Sequence, residues 1–150
     1  MHFTQNYKKL MNNEIALCLW FDGQAKEAAE FYCSVFENSK ITSENPIMVT
    51  FELNGRKMIG LNGGPMFKFN EATSLVVTCD SQEEIDYYWE KLTEGGEESM
   101  CGWLKDKFGL SWQIVPSILG KLMSDPEKGQ RVMQAFLQMR KFDIPTLLNV

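Results

Sequence analysis

The chain has 150 residues with a net charge of −5, and 44% of them are hydrophobic, which suits one domain or two small modules sharing a core. Its lysines and arginines are scattered without a basic stripe, so we expect no nucleic-acid partner. The longest apolar runs, such as LCLWF, are too short to span a bilayer, so we expect no membrane partner.

The start of the chain and its cysteines indicate a cytoplasmic protein. Residues 1–14 lack the basic start, apolar middle and cleavage site of a signal peptide, and we expect a flexible lead-in there. Cys18, Cys33, Cys79 and Cys101 show no C-x-x-C spacing and lie in apolar or strand-like contexts. We therefore predict buried free thiols rather than a zinc site or disulfides, as in a reducing compartment.

The first predicted module covers residues 15–63 and opens with a strand and a helix. A nearly continuous apolar run at residues 15–21 predicts a buried strand. Small and aromatic residues recur at helical spacing over residues 23–36, which predicts an amphipathic helix with Asp22 as its N-cap. We expect a further strand to begin near Lys40.

A hairpin completes this module. Residues 47–62 predict two strands around Asn54-Gly55, because both residues tolerate the positive φ of a tight hairpin turn. Gly63-Gly64-Pro65 then predicts a linker, since the sequence lacks the surrounding pattern of a phosphate-binding loop.

The second predicted module covers residues 73–116 and opens in the same way. Residues 74–79 predict a strand. Residues 81–92 predict an amphipathic helix, which Gly95-Gly96 ends.

The remainder of this module predicts a strand pair over residues 97–106 and 108–116. Asp106 and Gly109 occupy the first and fourth positions that a type I turn favours. Strand alternation then places Ser111, Gln113 and Val115 on one face and Leu110, Trp112 and Ile114 on the other.

The end of the chain, residues 123–150, predicts a helical extension. Ser124 or Asp125 is a suitable N-cap, Pro126 suits the first turn, and the helix would run to about Arg140. The apolar side chains of residues 144–148 need cover from this domain or from a second subunit.

The order strand, helix, strands occurs twice, which indicates an internal repeat. The sequence at Asp22-Gly23-Gln24 resembles that at Asp80-Ser81-Gln82, and Asn54-Gly55 matches Phe108-Gly109 in position. We predict an α+β fold in which two βαβββ modules, within residues 15–122, form a curved mixed sheet around a cup.

Four stretches carry a resemblance to a known family: LWFDGQAKEAAEFYCSVF, FELNGRKMIGLNGGPMFKFNEA, SLVVTCDSQEEIDYYWEKL and CGWLKDKFGLSWQIVP. They resemble the PhnB-like group, labelled 3-demethylubiquinone-9 3-methyltransferase-like, of the vicinal oxygen chelate (glyoxalase/bleomycin resistance/dioxygenase) superfamily. The sequence AFLQMRKFDI in the tail is also similar to that group. The resemblance implies a glyoxalase-like fold with a divalent metal bound in the cup by residues of the first, fourth, fifth and eighth strands.

The metal ligands that this resemblance implies are not matched by the sequence. The last ligand position, four residues after Gly109, is Gln113, and its counterpart in the first module is Ile59. The only histidine, His2, lies in the lead-in, and one amide is not a metal site. We therefore expect no metal and no cofactor, and the first strand is not followed by the glycine-rich loop of a methyl-donor site.

We expect the cup to bind a small, partly apolar molecule. The candidate ligand-binding residues are Gln113, Ser111, Asn62, Glu52, Trp103 and Phe67. Gln113 either bonds to backbone or water or orients a ligand, and Glu52 is either a strand carboxylate in solvent or an acid–base group. No catalytic residue is assigned, because no histidine accompanies the cysteines and serines.

Two other functions fit the same sequence, and the chain is expected to form a homodimer. One is an enzyme of the superfamily type, a lyase, isomerase or transferase, including the labelled methyltransferase, with an unidentified substrate. The other is a structural or interaction module whose cup is filled by side chains.

Overall fold

The computed structural model of the protein describes residues 13–150. The chain divides into two compact units between Pro65 and Met66, and each unit is described by itself. His2 and the predicted lead-in up to residue 12 lie outside the described residues. No helix within residues 13–150 is long and apolar enough to cross a membrane.

The first unit contains one mixed four-stranded sheet and one helix. Its elements in chain order are β1 (Leu17–Phe21), α1 (Ala25–Val35), β2 (Lys40–Glu44), β3 (Met48–Leu53) and β4 (Arg56–Asn62). The strand order is β1-β4-β3-β2, in which β1 runs parallel to β4 and the other pairs are antiparallel. This order of elements is that of a βαβββ module.

The β3–β4 turn forms as its sequence predicts. Asn54 and Gly55 adopt φ values of 48° and 81°, the left-handed conformations that a two-residue hairpin loop requires. Leu53 therefore pairs with Arg56 in the register. In the core of this unit, the buried Tyr32 ring of α1 stacks on Phe51 of β3 at a centroid distance of 6.3 Å.

The prediction that Asp22 caps α1 is wrong. Gln24 occupies the N-cap position without a side-chain hydrogen bond, and Asp22 is exposed. The backbone N–H of Ala25 instead donates to Asn62 Oδ1 at 2.9 Å. Asn62 can reach it because β4 lies parallel to β1, which pairs Asn62 with Phe21 just before the helix.

The second unit repeats this arrangement. Its elements are β5 (Ser74–Cys79), α2 (Gln82–Thr93), β6 (Glu97–Glu98), β7 (Trp103–Lys105) and β8 (Ser111–Pro116). The strand order is β5-β8-β7-β6, and β5 runs parallel to β8. The Ser81 side chain caps α2 by accepting from Glu84 N–H.

The prediction of one strand over residues 97–106 is wrong, because the chain turns between β6 and β7. Cys101 and Gly102 have φ values of 58° and 80°, which no strand contains. Their N–H groups leave the sheet and donate to the carbonyls of Met139 and Arg140, at 2.7 and 2.8 Å.

The predicted turn between β7 and β8 is confirmed, and Asp106 holds it from inside the protein. Gly109 N–H donates to the Asp106 carbonyl at 2.9 Å. The Asp106 carboxylate, 2% exposed, accepts from Phe108 N–H, Leu110 N–H and Trp112 Nε1, at 2.9, 3.1 and 2.8 Å.

Three short helices follow, α3 (Leu119–Met123), α4 (Gly129–Phe136) and α5 (Ile144–Leu148), so the prediction of one helix reaching Arg140 is wrong. Asp125 does cap, since its Oδ1 accepts from the N–H groups of Glu127 and Lys128, but these residues form a turn before α4. The α-helix ends at Phe136, because the N–H groups of Gln138 and Met139 bond only three residues back, to the carbonyls of Ala135 and Phe136. The α+β class, with two βαβββ modules and C-terminal helices, is confirmed.

Candidate functional site

A cavity of about 420 Å³ lies in the second unit, against the sheet face that carries Trp103, Lys105 and Ser111. Leu104 and Trp112 alternate with these residues and are buried in the core. The end of β6 and the loop that follows it form a wall of this cavity, residues 98–101. We call it the Ser111 cavity, after its most deeply buried polar residue.

Ser111 is a buried polar residue of this cavity. Its side chain is completely buried, and its Oγ makes no hydrogen bond to any group of residues 13–150. A buried polar atom left unsatisfied costs about 1–3 kcal/mol. A molecule in the cavity would remove this penalty by bonding to Oγ, once the groups that cover the atom move aside.

An ion pair borders the same cavity. Lys105 Nζ lies 2.5 Å from Glu71 Oε1. The hydrogen bond from Lys105 holds the pKa of the Glu71 carboxyl below its usual value, and the same bond raises the pKa of Lys105. Glu97 pairs with Lys105 across the sheet, so two carboxylates, Glu71 and Glu97, lie beside one ammonium group. The Glu98 carboxylate is instead engaged by Trp89 Nε1, at 2.9 Å. The excess of negative charge beside Lys105 disfavours acidic ligands.

The remaining lining supplies apolar surface. Trp103 is half-buried, and Met100 is 40% exposed on the wall. An aromatic face and a thioether next to one buried hydroxyl suit a molecule that is mostly apolar and carries one polar group. The structure thus brings together two of the predicted ligand-binding residues, Ser111 and Trp103.

The side-chain amide of Gln113 forms a hydrogen bond with the neighbouring strand β5. Gln113 pairs with Trp103 in the register, and its Nε2 donates to Ser74 Oγ at 2.9 Å. It does not line the Ser111 cavity. One neutral amide, with Ile59 at the equivalent place in the first module, does not fit a divalent metal. Within residues 13–150 no three His, Cys, Asp or Glu side chains are grouped to hold a metal ion. The metal-free site remains a prediction.

Asn62 lies in the first unit, on a separate cavity of about 360 Å³. Besides accepting from Ala25, its side chain donates from Nδ2 to the carbonyl of Pro46 at 3.1 Å. Both ends of the amide are therefore used to hold α1 and the β2–β3 loop. This favours a structural role for Asn62 over ligand binding.

Glu52 and Phe67 line neither of these two cavities. Glu52, half-buried on β3, pairs across the sheet with Lys40 and Lys57. Phe67 is 59% exposed. Their proposed contacts with a ligand remain predictions without support from the geometry.

The four cysteines are free, as predicted, but their burial differs. Cys79 is buried, Cys33 and Cys101 are half-buried, and Cys18 is exposed, so the prediction of buried thiols is wrong for Cys18. Cys101 belongs to the wall of the Ser111 cavity.

Sequence reasoning missed Lys105 and Glu71. Lys105 could have been found, because alternation in β7 places it on the same face as Trp103. Glu71 lies in the loop before β5, and no local pattern indicates which residue a loop carboxylate will meet.

The fold is that of glyoxalase-like proteins. A glyoxalase-related enzyme from Fulvimarina pelagi is 13% identical to the chain, covers 73% of it and 91% of its own length, and gives a TM-score of 0.53. A protein from Pseudomonas aeruginosa is 17% identical over 70% of this chain and 98% of its own, with a TM-score of 0.60. None of the curated proteins compared with the chain matches it.

Two further comparisons identify one family among the proteins with this fold. A family model described as 3-demethylubiquinone-9 3-methyltransferase matches residues 13–115. The PhnB protein from Bacillus cereus is 35% identical over 70% of this chain and 100% of its own length, with a TM-score of 0.64. The chain therefore belongs to this PhnB-like family.

Proposed function

We propose that the protein binds a small, partly apolar molecule in the Ser111 cavity, without a metal. The observation that carries the proposal is the buried, unpartnered Ser111 Oγ on a cavity otherwise bordered by Trp103 and Met100. Such a pocket positions a ligand by one hydrogen bond and retains it by apolar contact. The carboxylates around it favour a neutral or cationic ligand over an acid.

The family description supports a flat ring with oxygen substituents and an apolar body as the ligand class. It names 3-demethylubiquinone, a quinone whose ring carries polar oxygens and whose substituent is apolar. A neutral ring of this kind could stack on Trp103 and exchange a hydrogen bond with Ser111 Oγ. We choose 2-naphthol as the test molecule, because it combines a flat apolar body with a single hydroxyl.

The test compares Ser111→Ala with the unchanged protein. We expect 2-naphthol affinity to fall about tenfold, which is about 1.4 kcal/mol, because one hydrogen bond is lost. We also expect the free energy of unfolding to rise by about 1 kcal/mol, because an unsatisfied buried hydroxyl disappears. Isothermal titration calorimetry and urea unfolding measure the two effects.

The opposite signs of the two effects separate a ligand site from an ordinary core position. Ser117→Ala, at an exposed serine after β8, is the matched control and should change neither quantity. Equal affinity for 2-naphthol in Ser111→Ala and in the unchanged protein would mean that the ligand binds elsewhere. No binding by the unchanged protein would favour the structural module.

We also infer a homodimer located in the cytoplasm. Free thiols support a reducing compartment. Several apolar side chains on the C-terminal helices remain exposed and could be covered by a second copy; they are Met123, Met133, Leu137 and Leu148. Native mass spectrometry of freshly purified protein should show twice the chain mass, without bound metal. A monomer, or a stoichiometric metal, would contradict this inference.

A further inference from the structure

The wall of the Ser111 cavity, residues 98–101, has little support from its own sheet. It connects the two-residue strand β6 to the three-residue strand β7. Two backbone bonds link it to Trp103, from Ser99 N–H to the Trp103 carbonyl at 2.9 Å and from Trp103 N–H to the Met100 carbonyl at 3.1 Å. At its end, Cys101 has a φ of 58°, which a residue with a Cβ adopts at a cost of about 1–3 kcal/mol unless its surroundings enforce it.

The surroundings that enforce this conformation belong to the part of the chain after α4, which we call the C-terminal tail. The N–H groups of Cys101 and Gly102 donate to the carbonyls of Met139 and Arg140, at 2.7 and 2.8 Å. At the other end of the wall, Arg140 Nη1 donates to the Glu98 carbonyl at 3.3 Å. The tail therefore contacts both ends of the cavity wall.

The tail is itself attached to the second module through Gln82 of α2. Gln82 Nε2 donates to the Phe142 carbonyl at 2.9 Å, and Gln82 Oε1 accepts from Ile144 N–H at 2.8 Å. One side chain thus satisfies the backbone on both sides of Asp143. An ion pair between Lys141 Nζ and Asp86 Oδ1, at 2.7 Å, adds a second link to the same helix.

The Phe142 side chain completes the attachment. It is 2% exposed, and its ring covers Gly102 so closely that a Cβ there would lie 2.5 Å from Phe142 Cε2. Only glycine permits this approach. The tail lies beyond residue 115, where the match to the family model ends.

We infer that the C-terminal tail is part of the ligand site, in which Gln82 and Arg140 are positioning residues for the wall of the Ser111 cavity. This inference rests on the proposed function and extends it. Ligand affinity depends on tail attachment, because release of Met139 and Arg140 leaves the amides of Cys101 and Gly102 without acceptors and lets Cys101 leave its positive φ.

The test uses the full chain with two substitutions. Gln82→Leu removes both hydrogen bonds from this side chain to the tail and leaves the Lys141–Asp86 ion pair in place. Arg140→Met removes the guanidinium from Glu98 while leaving the backbone carbonyl. Lys121→Met, at an exposed lysine of α3, is the control. Hydrogen exchange of a peptide covering residues 99–103 reports the wall, and a peptide from β3 and β4 reports global opening.

We expect Gln82→Leu to raise the exchange rate of the Cys101 and Gly102 amides about tenfold, as local opening does, with β3 and β4 unchanged. 2-Naphthol affinity should fall about fivefold in Gln82→Leu and about threefold in Arg140→Met, because the wall is no longer preorganised. Lys121→Met should match the unchanged protein in both measurements.

Each other outcome has a defined meaning. Equal exchange of the wall amides in Gln82→Leu and the unchanged protein overturns the inference, as does faster exchange in β3 and β4 to the same degree, which would indicate general destabilisation. Faster wall exchange with unchanged affinity overturns the link to the ligand. Absence of 2-naphthol binding in the unchanged protein overturns the proposed function and this link to it. The exchange data then still decide whether the tail holds the wall.

Discussion

The thiol of Cys79 differs from that of Cys18 in burial, and burial changes the acidity of Cys79. Cys79 is completely buried at the end of β5, whereas Cys18 is exposed on β1. Burial raises the pKa of the Cys79 thiol from its ordinary value of 9.0 to about 11, and the negative charges of Glu84 and Asp80 act in the same direction. The reactive thiolate is therefore scarce at this position.

We predict that iodoacetamide at pH 8 modifies Cys18 well before Cys79, as peptide mass spectrometry of timed samples would show. Equal labelling of the two cysteines in denaturant is the control, and equal labelling in the folded protein would contradict the prediction.

The raised pKa of Cys79 also makes the stability of the protein depend on pH. Between pH 9 and about 11 the unfolded thiol ionises while the folded thiol keeps its proton, so the free energy of unfolding falls as pH rises through this window.

Asn62 illustrates a polar side chain whose role is structural. Its amide accepts from Ala25 and donates to the Pro46 carbonyl, which joins the start of α1 to the β2–β3 loop. We predict that Asn62→Leu lowers the free energy of unfolding by about 1–2 kcal/mol, the usual effect of losing a helix cap. Urea unfolding measures it.

The control for this substitution is Gln134→Leu, at an exposed position on α4, which should change stability by less than about 0.5 kcal/mol. If Asn62→Leu changes the free energy of unfolding as little as Gln134→Leu does, the cap contributes nothing to stability. A loss of 2-naphthol affinity without a loss of stability would instead restore Asn62 as a ligand-binding residue.

At the scale of elements, the β7–β8 hairpin depends on the carboxylate of Asp106. Three donors converge on it, and the indole of Trp112 is one of them. We predict that Asp106→Asn lowers the free energy of unfolding by about 1.5–3 kcal/mol, because an amide nitrogen replaces one charged acceptor. Thermal or urea unfolding measures this loss.

Asp125→Asn provides a matched comparison, because Asp125 also accepts from two backbone N–H groups but is exposed. Asparagine caps almost as well as aspartate, so this substitution should have a small effect. Similar losses in the two variants would show that burial of the Asp106 carboxylate is unimportant.

Local patterns were sufficient for most elements and insufficient for contacts between distant residues. The Asn54-Gly55 turn, the capped helix after Ser81 and the Asp106–Gly109 turn are encoded within a few residues, and all three form. The cap from Asn62 to Ala25 and the turn at Cys101 depend on partners 37 or more residues away. Periodicity carries no information on such pairs.

The same distinction applies to the candidate site. Strand alternation places Ser111 and Trp103 on one face, as the structure shows. Whether Ser111 Oγ meets a partner depends on every side chain packed around it, which the sequence of β8 does not contain. Gln113 shows the reverse case, since a motif position typical of metal ligands is occupied by an amide bonded to Ser74.

At the scale of the whole molecule, the two sheets share one strand order, and this predicts a pattern of backbone protection. β4 and β8 each lie between two neighbours, whereas the two-residue β6 forms an edge. We expect the amides of β4 and β8 to exchange most slowly and those of β6 among the fastest, because edge strands open locally. Hydrogen exchange followed by mass spectrometry tests this order. Equal protection of β6 and β8 would contradict it.

The parallel pairing of the first and last strand in each module also has a consequence for synthesis on the ribosome. Leu17 pairs with Met58, so the first sheet is incomplete until its last strand has been translated. All of its strands precede Pro65, so this module can close before the strands of the second have emerged from the ribosome. The second module waits for β8, and its cavity wall waits longer, because the carbonyls of Met139 and Arg140 follow β8 in the chain.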